Sequence, residues 1–225
     1  MPRSWRIPNT TRGEHTKHFP NADTGVGRVD HAICGTDKFD RIVRDPVLTG
    51  IHTTLAGGPF FISATYYIEK VGPAPGGGLH NGGYPVDRDI YLRLRPHQSA
   101  LCLQRYQECS HSLGSDLHRE GRPFAAIRGS HKATFSCPFD MSDATQNPMA
   151  VPVFAAPGDV IIFSEGMTHN AFPVTDDSIR RSVFFAYMPA ISRNNLPHHR
   201  MSIYPDHVLE RLNDQTELLS SPGYI

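Results

Sequence analysis

The stretch PGDVIIFSEGMTHNAFPVTDDSIRRSVFFAYMP, residues 157–189, contains the clearest structural signals in the 225-residue chain. Its apolar run, residues 160–163, follows a Pro-Gly-Asp turn and has the length of a strand buried on both faces. A second turn cluster, residues 175–178, separates His169 from a segment rich in β-branched and aromatic residues that opens on Arg180. The stretch therefore predicts two antiparallel strands that carry a histidine and an arginine toward one end of a sheet.

Short strands separated by Gly/Pro turns make up most of the remaining pattern. Strands are predicted at residues 60–70, 90–94, 100–106, 124–127 and 151–154. Apolar residues recur at intervals of three and four over residues 37–55, which predicts a helix that Pro46 divides in two, with Asp45 capping the second part. The tail, residues 206–220, is also helical in pattern. Strands between terminal helices favour a mainly β fold, a cupin-like double-stranded β-helix (jelly roll) with flanking α-helices.

Composition limits the classes of protein to which the chain belongs. Residues 1–30 show no period and are interpreted as an N-terminal arm, and residues 31–225 as a single domain with a C-terminal helix. Equal numbers of basic and acidic side chains, 22 of each, argue against a nucleic-acid or anionic-membrane surface. No apolar run has the length of a membrane span or secretory signal, so a cytoplasmic protein is expected. The four cysteines form no C-x-x-C pair and are expected to be reduced, and the oligomeric state is left open.

Further motifs accompany His169 in a definite order along the chain. His80 follows a strand and a glycine-rich turn, and the loop Gly-Ser-His-Lys at residues 129–132 precedes the Pro-Gly-Asp turn. Arg180 lies 11 residues beyond His169 and begins an R-x-S motif that ends at Ser182. In this order the motifs resemble the phytanoyl-CoA dioxygenase type of Fe(II)- and 2-oxoglutarate-dependent oxygenases.

The resemblance implies a set of roles for these residues. His80 and His169 would bind Fe(II), while Arg180, with Ser182, would hold the far carboxylate of 2-oxoglutarate, and Gln104 is a further candidate for that carboxylate. The implied reaction uses O2 to hydroxylate a small-molecule substrate, which makes the protein a dioxygenase. The residue types suit this chemistry, because neutral imidazole ligates Fe(II) and a guanidinium binds a carboxylate through two hydrogen bonds. Since side chains alternate along a strand, Arg181 should point away from Arg180.

The sequence departs from the family at the first histidine. Most members of the family carry H-x-D or H-x-E, whereas this chain has His80-Asn81-Gly82, and glycine supplies no ligand. Three alternatives remain. In the first, Gly82 leaves a position for halide, as in related halogenases. In the second, a remote carboxylate or water completes the site. In the third, the protein is a non-catalytic jelly-roll binding protein. The remote candidates are Asp87, Asp89 and Glu108.

Two more features concern the surroundings of this site. His131, in the Gly-Ser-His-Lys loop, is expected to support the site and not to ligate, because two histidines are already assigned. Substrate specificity is expected to depend on loops, of which residues 110–122 and 140–148 are the main candidates.

Overall fold

Two antiparallel sheets form the centre of the protein. The computed structural model describes residues 17–21, 26–81, 106–110, 123–133, 137–156, 158–164, 166–189 and 204–219. Within these residues the strands are β1 Lys17–Asn21, β2 Val26–Asp30, β3 Phe60–Val71, β4 Tyr106–Ser110, β5 Phe124–Ile127, β6 Ala150–Val153, β7 Val160–Ser164, β8 His169–Ala171 and β9 Ile179–Pro189. The larger sheet has the order β1-β2-β3-β9-β4-β7, and the smaller one has the order β6-β5-β8. The prediction of a mainly β protein with helices outside the sheets is confirmed.

Short helices cover one face of the larger sheet. They are α1 Ala32–Gly35, α2 Asp40–Val43, α3 Pro46–Ala56, α4 Asp206–Arg211 and α5 Thr216–Leu219. The predicted break at Pro46 is confirmed: Asp45 caps α3 by accepting from the backbone N–H groups of Val47 and Leu48, and Pro46 occupies the first turn. None of the helices in the described part of the chain is long and apolar enough to cross a membrane.

The central strand pair β3–β9 separates the helical core from a cavity. Their antiparallel register places Ile68 opposite Ser182 and Lys70 opposite Arg180. Because side chains alternate, Val183, Phe185 and Tyr187 face the helices instead. There they join a buried cluster whose other fully enclosed members include Ile33, Ile62, Val43, Val208, Leu212 and Leu219. The C-terminal helices therefore pack outside the sheets, as the tail pattern predicts.

Two features of the strands differ from what the sequence indicates. The pattern of residues 1–30 gives no sign of β1 and β2, which form an antiparallel pair that extends the larger sheet at β3. Their mixed polar composition hides this pairing, which depends on backbone hydrogen bonds to an edge. The apolar run in β7 is not buried on both faces, because Val160 is 37% exposed and both Ile161 and Ile162 are half-buried. Among the described strands β7 pairs with β4 alone, at the edge of the larger sheet. The division into an arm and a single domain remains a prediction.

The remaining strand predictions have mixed outcomes. Strands β3, β5 and β6 fall where the sequence predicts them, within a residue. The predicted strand at residues 90–94 lies outside the described residues, as does 100–106 apart from Tyr106. Tyr106 instead begins β4, which continues to Ser110 between β9 and β7. The polar sequence of β4 has no alternating apolar pattern that would predict a strand. The segment is a strand because it forms backbone hydrogen bonds with β9 and β7 on its two sides.

Candidate metal and cosubstrate site

His80 and His169 are brought together by a backbone bridge between two segments distant in sequence. The N–H of His80 donates to the carbonyl of His169 at 3.0 Å, and the N–H of His169 donates to the carbonyl of His80 at 2.8 Å. Residues directly opposite in an antiparallel pair point to the same face. The two imidazole rings accordingly lie side by side, with 4.6 Å between their centroids.

The glycine-rich segment before His80 was predicted as a turn, but it runs alongside β8. Ala74 and Val174 exchange two backbone hydrogen bonds of 2.9 Å, and the N–H of Gly77 donates to the carbonyl of Ala171 at 3.2 Å. This pairing sets the register that places His80 opposite His169. His169 and Arg180 therefore lie on different sheets, on β8 and β9, and not at one end of a single sheet as the sequence predicts.

Each imidazole directs its Nδ1 atom toward a backbone carbonyl. The Nδ1 of His169 is 2.7 Å from the carbonyl oxygen of Met167, and the Nδ1 of His80 is 3.2 Å from that of Gly78. A neutral imidazole whose Nδ1–H donates to a carbonyl keeps the lone pair of Nε2 for a metal. The pair therefore meets the chemical requirement for two neutral nitrogen ligands of Fe(II).

His169 is held in an apolar environment and is 5% exposed. The rings of Phe124 and Phe163 lie 5.6 Å and 4.6 Å from its ring, measured between centroids. Burial lowers the pKa of His169 from 6.5 to about 4; the hydrogen bond to Met167 opposes this shift, and the neighbouring His80 adds slightly to it. At neutral pH His169 is consequently uncharged and needs to lose no proton before it binds a metal.

The lowered pKa of His169 makes the stability of the metal-free protein depend on pH. Between about pH 6.5 and about 4 the unfolded chain binds a proton at His169 and the folded protein does not, so the free energy of unfolding should fall as the pH is lowered. The stability that comes from His169 being neutral in both states is fully present above pH 6.5 and is lost as the pH falls toward 4. The resulting decrease in the free energy of unfolding is about 3 kcal/mol. Urea unfolding across this range should show a shallower decline for His169→Gln. An equal decline in both proteins would contradict the assignment.

Ser130, in the Gly-Ser-His-Lys loop, supports the segment that carries His169. Its hydroxyl donates to the carbonyl of Ile127 at 2.7 Å and accepts from the N–H of Thr168 at 2.7 Å. The N–H of Ile127 in turn donates to the carbonyl of Thr168 at 2.9 Å. The contact that supports the site from this loop is thus made by Ser130, whereas the sequence pattern predicts that role for His131.

The two histidines open into a cavity of about 190 Å³ between the sheets. Its described lining has three cationic side chains and no aspartate or glutamate. The lining residues are Arg28, Tyr66, Ile68, Lys70, His80, Phe124, His169, Asn170, Ala171, Arg180, Ser182 and Phe184. A cavity with this charge suits an anion.

Arg180 and Lys70 form the buried cationic part of the lining. They are 4% and 9% exposed and lie directly opposite each other on β9 and β3. Burial, and secondarily the charge of Arg180, lowers the pKa of Lys70 to about 8. Its ammonium group donates to the carbonyl of Pro75 at 3.0 Å. Two adjacent buried cations repel each other, so a bound carboxylate would stabilise both.

Arg181 lies on the opposite face of the larger sheet from Arg180, as strand alternation predicts. Its guanidinium donates to the Glu69 carboxylate at 2.8 Å, and Glu69 also accepts from the Tyr67 hydroxyl at 2.9 Å. Ser182 shares the cavity face with Arg180 and is 2% exposed. The cavity therefore brings together four of the predicted residues, namely His80, His169, Arg180 and Ser182.

Other predicted residues lie outside what the structure describes. These are Gln104, Gly82, Asp87 and Asp89, and of Glu108 the backbone alone is described, in β4. Within the described residues no group of three His, Cys, Asp or Glu side chains is placed to hold a metal ion.

Several residues that line the cavity were not predicted from the sequence, among them the polar residues Arg28, Lys70 and Asn170. Lys70 ends a predicted strand, where a lysine ordinarily reaches solvent. Lys70 lies directly opposite Arg180 and points to the same face of the sheet. This relation follows from the β3–β9 register and cannot be read from the sequence of either strand alone. Asn170 is adjacent to His169 and gave no signal of its own.

No protein-family model matches the chain, and no curated protein matches it. Solved structures do resemble it. HygX from Streptomyces hygroscopicus, solved with nickel and 2-oxoglutarate bound, is 18% identical, with 79% of this chain and 75% of HygX covered and a TM-score of 0.59. The non-heme alpha ketoglutarate dependent epimerase SnoN from nogalamycin biosynthesis is 16% identical, with 78% of this chain and 65% of SnoN covered and a TM-score of 0.57. The non-heme alpha ketoglutarate dependent carbocyclase SnoK, also from nogalamycin biosynthesis, is 17% identical, with 79% of this chain and 69% of SnoK covered and a TM-score of 0.56. The chain therefore shares its fold with non-heme 2-oxoglutarate-dependent enzymes.

Proposed function

We propose that this protein is an oxygenase of the phytanoyl-CoA dioxygenase type that uses Fe(II), 2-oxoglutarate and O2 to hydroxylate a small molecule. The observation that carries the proposal is the bridge between His80 and His169, which aligns two imidazoles in a cavity that also contains Arg180, Lys70 and Ser182. The shared fold supports it, since HygX was solved with nickel and 2-oxoglutarate and SnoN with Fe3+ and alpha ketoglutarate. The two sheets would then be those of a jelly roll.

His80 and His169 would hold the iron through their Nε2 atoms. Their Nδ1 atoms face carbonyl oxygens, and such contacts orient ligand histidines in metal sites. The aromatic rings of Phe124 and Phe163 would keep water from the His169 side. Bound Fe(II) supplies, with O2, the oxidative decarboxylation of 2-oxoglutarate to succinate and the oxidising power for the substrate.

Arg180 would bind the far carboxylate of 2-oxoglutarate, with Lys70 and the Ser182 hydroxyl as further donors. The planar guanidinium offers two parallel N–H groups, which match the two oxygens of a carboxylate. The positive charge of Lys70 adds attraction in a buried site, where it is weakly screened. The opposite end of 2-oxoglutarate would then reach the metal.

The experiment is an anaerobic titration of Fe(II) and 2-oxoglutarate, followed by the metal-to-2-oxoglutarate charge-transfer band. The unmodified protein should develop the band, and Arg180→Lys should bind 2-oxoglutarate roughly 10- to 100-fold more weakly, because one charge-assisted hydrogen bond to a buried group contributes about 1.5–3 kcal/mol. Arg181→Lys is the matched control and should change the affinity less than about twofold, since Arg181 pairs with Glu69 on the other face.

Two outcomes of this titration count against the proposal. A protein that binds neither iron nor 2-oxoglutarate would favour the non-catalytic binding protein, and equal affinities for the Arg180→Lys and unmodified proteins would remove Arg180 from the carboxylate site. The same titration with chloride addresses Gly82: a band that shifts with chloride favours halide at the position left by glycine. A band indifferent to chloride favours a carboxylate or water as the third ligand.

A further inference from the structure

We infer that Asn170 is a positioning residue for His80. It holds the carbonyl group of Gly78, which accepts from the Nδ1–H of His80 when the Nε2 atom binds the metal, and thereby directs Nε2 to the metal. The inference rests on the proposed function, because it assigns His80 as a ligand. Asn170 lies directly after His169 and belongs to none of the sequence motifs that predict the site.

The contacts around the carbonyl oxygen of Gly78 carry the inference. The Nδ2 atom of Asn170 donates to this oxygen at 2.6 Å, and the Nδ1 atom of His80 lies 3.2 Å from the same oxygen. The two nitrogen atoms are 3.1 Å apart, so Nδ2 of Asn170 also donates to Nδ1 of His80 when that atom is unprotonated. When Nε2 binds a metal, Nδ1 carries the proton, and both nitrogen atoms donate to the Gly78 oxygen, which has two lone pairs. The Gly78 carbonyl is therefore shared between the amide and the imidazole.

The orientation of the Asn170 amide is determined by the contact of its oxygen atom, Oδ1. The N–H of Ala171 donates to the Oδ1 atom of Asn170 at 2.7 Å. Since a backbone N–H requires an acceptor, Nδ2 and not Oδ1 must face Gly78. Both polar atoms of the amide are thus engaged, so Asn170 acts on the site through the carbonyl and the ring and not as a ligand.

His80 needs such support more than His169 does. His169 is buried between Phe124 and Phe163, which restrict its ring, whereas His80 is exposed. An exposed ring that samples several rotamers loses that freedom when it binds a metal. The hydrogen bond through the Gly78 carbonyl restricts the ring of His80 before the metal arrives.

Gly77 provides an independent observation for the same arrangement. A Cβ atom at residue 77 would lie 2.2 Å, 2.4 Å and 2.5 Å from the Oδ1, Nδ2 and Cγ atoms of Asn170. The nearest obstruction at this position is therefore the Asn170 amide itself. An alanine at residue 77 should therefore displace the amide from its present position, since the end of a side chain moves more easily than the backbone.

The test is Co(II) binding to the metal-free protein, measured by the visible absorption of bound Co(II). Asn170→Ala should weaken Co(II) binding by roughly 10-fold or more, the range seen when outer-shell partners of ligands are removed, and should change the absorption spectrum. Gly77→Ala should have a similar effect. Because both changes act on one amide, the double variant should be no weaker than Asn170→Ala alone.

Gly50→Ala is the matched control for the glycine change. Nothing lies within 4 Å of a Cβ atom at residue 50, in α3, so its Co(II) affinity should equal that of the unmodified protein. An unchanged Co(II) affinity and spectrum in Asn170→Ala would overturn the inference. It would also be overturned if Gly77→Ala weakened Co(II) binding as much in the Asn170→Ala protein as in the unmodified protein. If Asn170→Ala does not fold, an unchanged spectrum in Gly77→Ala overturns it in the same way. Absence of Co(II) binding by the unmodified protein would overturn the proposed function as well, whereas binding without an Asn170 effect would overturn the inference alone.

Discussion

Replacing His169 with alanine should weaken Fe(II) binding by more than about 100-fold and abolish the charge-transfer band with 2-oxoglutarate. The loss should exceed the 10- to 100-fold effects of outer-shell changes, because a ligand is removed and not merely reoriented. His80 would remain as one exposed imidazole, which is a weak site alone. Anaerobic titration of the purified variants with Fe(II) measures the effect.

The controls for this prediction separate a lost ligand from a lost fold. His207→Ala is the matched variant, since His207 lies in α4, where its ring nitrogen is 3.2 Å from the carbonyl oxygen of Cys34, and is not among the residues that line the cavity. It should bind Fe(II) as the unmodified protein does. His169→Gln fills more of the space between Phe124 and Phe163 and should still fail to give the band. Fe(II) affinity preserved in either His169 variant would exclude His169 as a ligand.

Replacing Phe185 with alanine should lower the free energy of unfolding by about 3–5 kcal/mol, the usual range for a buried phenylalanine. Phe185 is fully buried in the cluster that joins β9 to the helices, with the rings of Phe39 and Tyr187 at 6.5 Å and 6.3 Å between centroids. Urea unfolding, monitored by circular dichroism, measures the loss.

The matched control is Val160→Ala, at an edge strand where the side chain is 37% exposed. It should cost less than about 1 kcal/mol, because little apolar area is removed from a buried environment. Equal losses in the two variants would contradict the assignment of Phe185 to the central core. The Phe185 variant should also release the C-terminal helices α4 and α5, whose residues Val208 and Leu219 belong to the same cluster.

Local sequence signals determined several parts of the structure. The cap at Asp45, the first-turn Pro46 and the strand Phe60–Val71 depend on neighbouring residues and were predicted correctly. Alternation along one strand was sufficient to assign Arg180 and Arg181 to opposite faces, because that property needs no knowledge of the partner strand. The motif order also selected His80 and His169, which the structure brings side by side.

Only the tertiary structure decided how these pieces meet. A glycine-rich segment predicted as a turn pairs with β8 and sets His80 opposite His169, while β9 places Arg180 on the other sheet and Lys70 opposite it. Lys70 and Asn170 became site residues through register and close backbone approach, which leave no local pattern. The physical reason is that capping and alternation are set by adjacent residues, whereas sheet partners and buried charges are set by contacts between residues far apart in the chain.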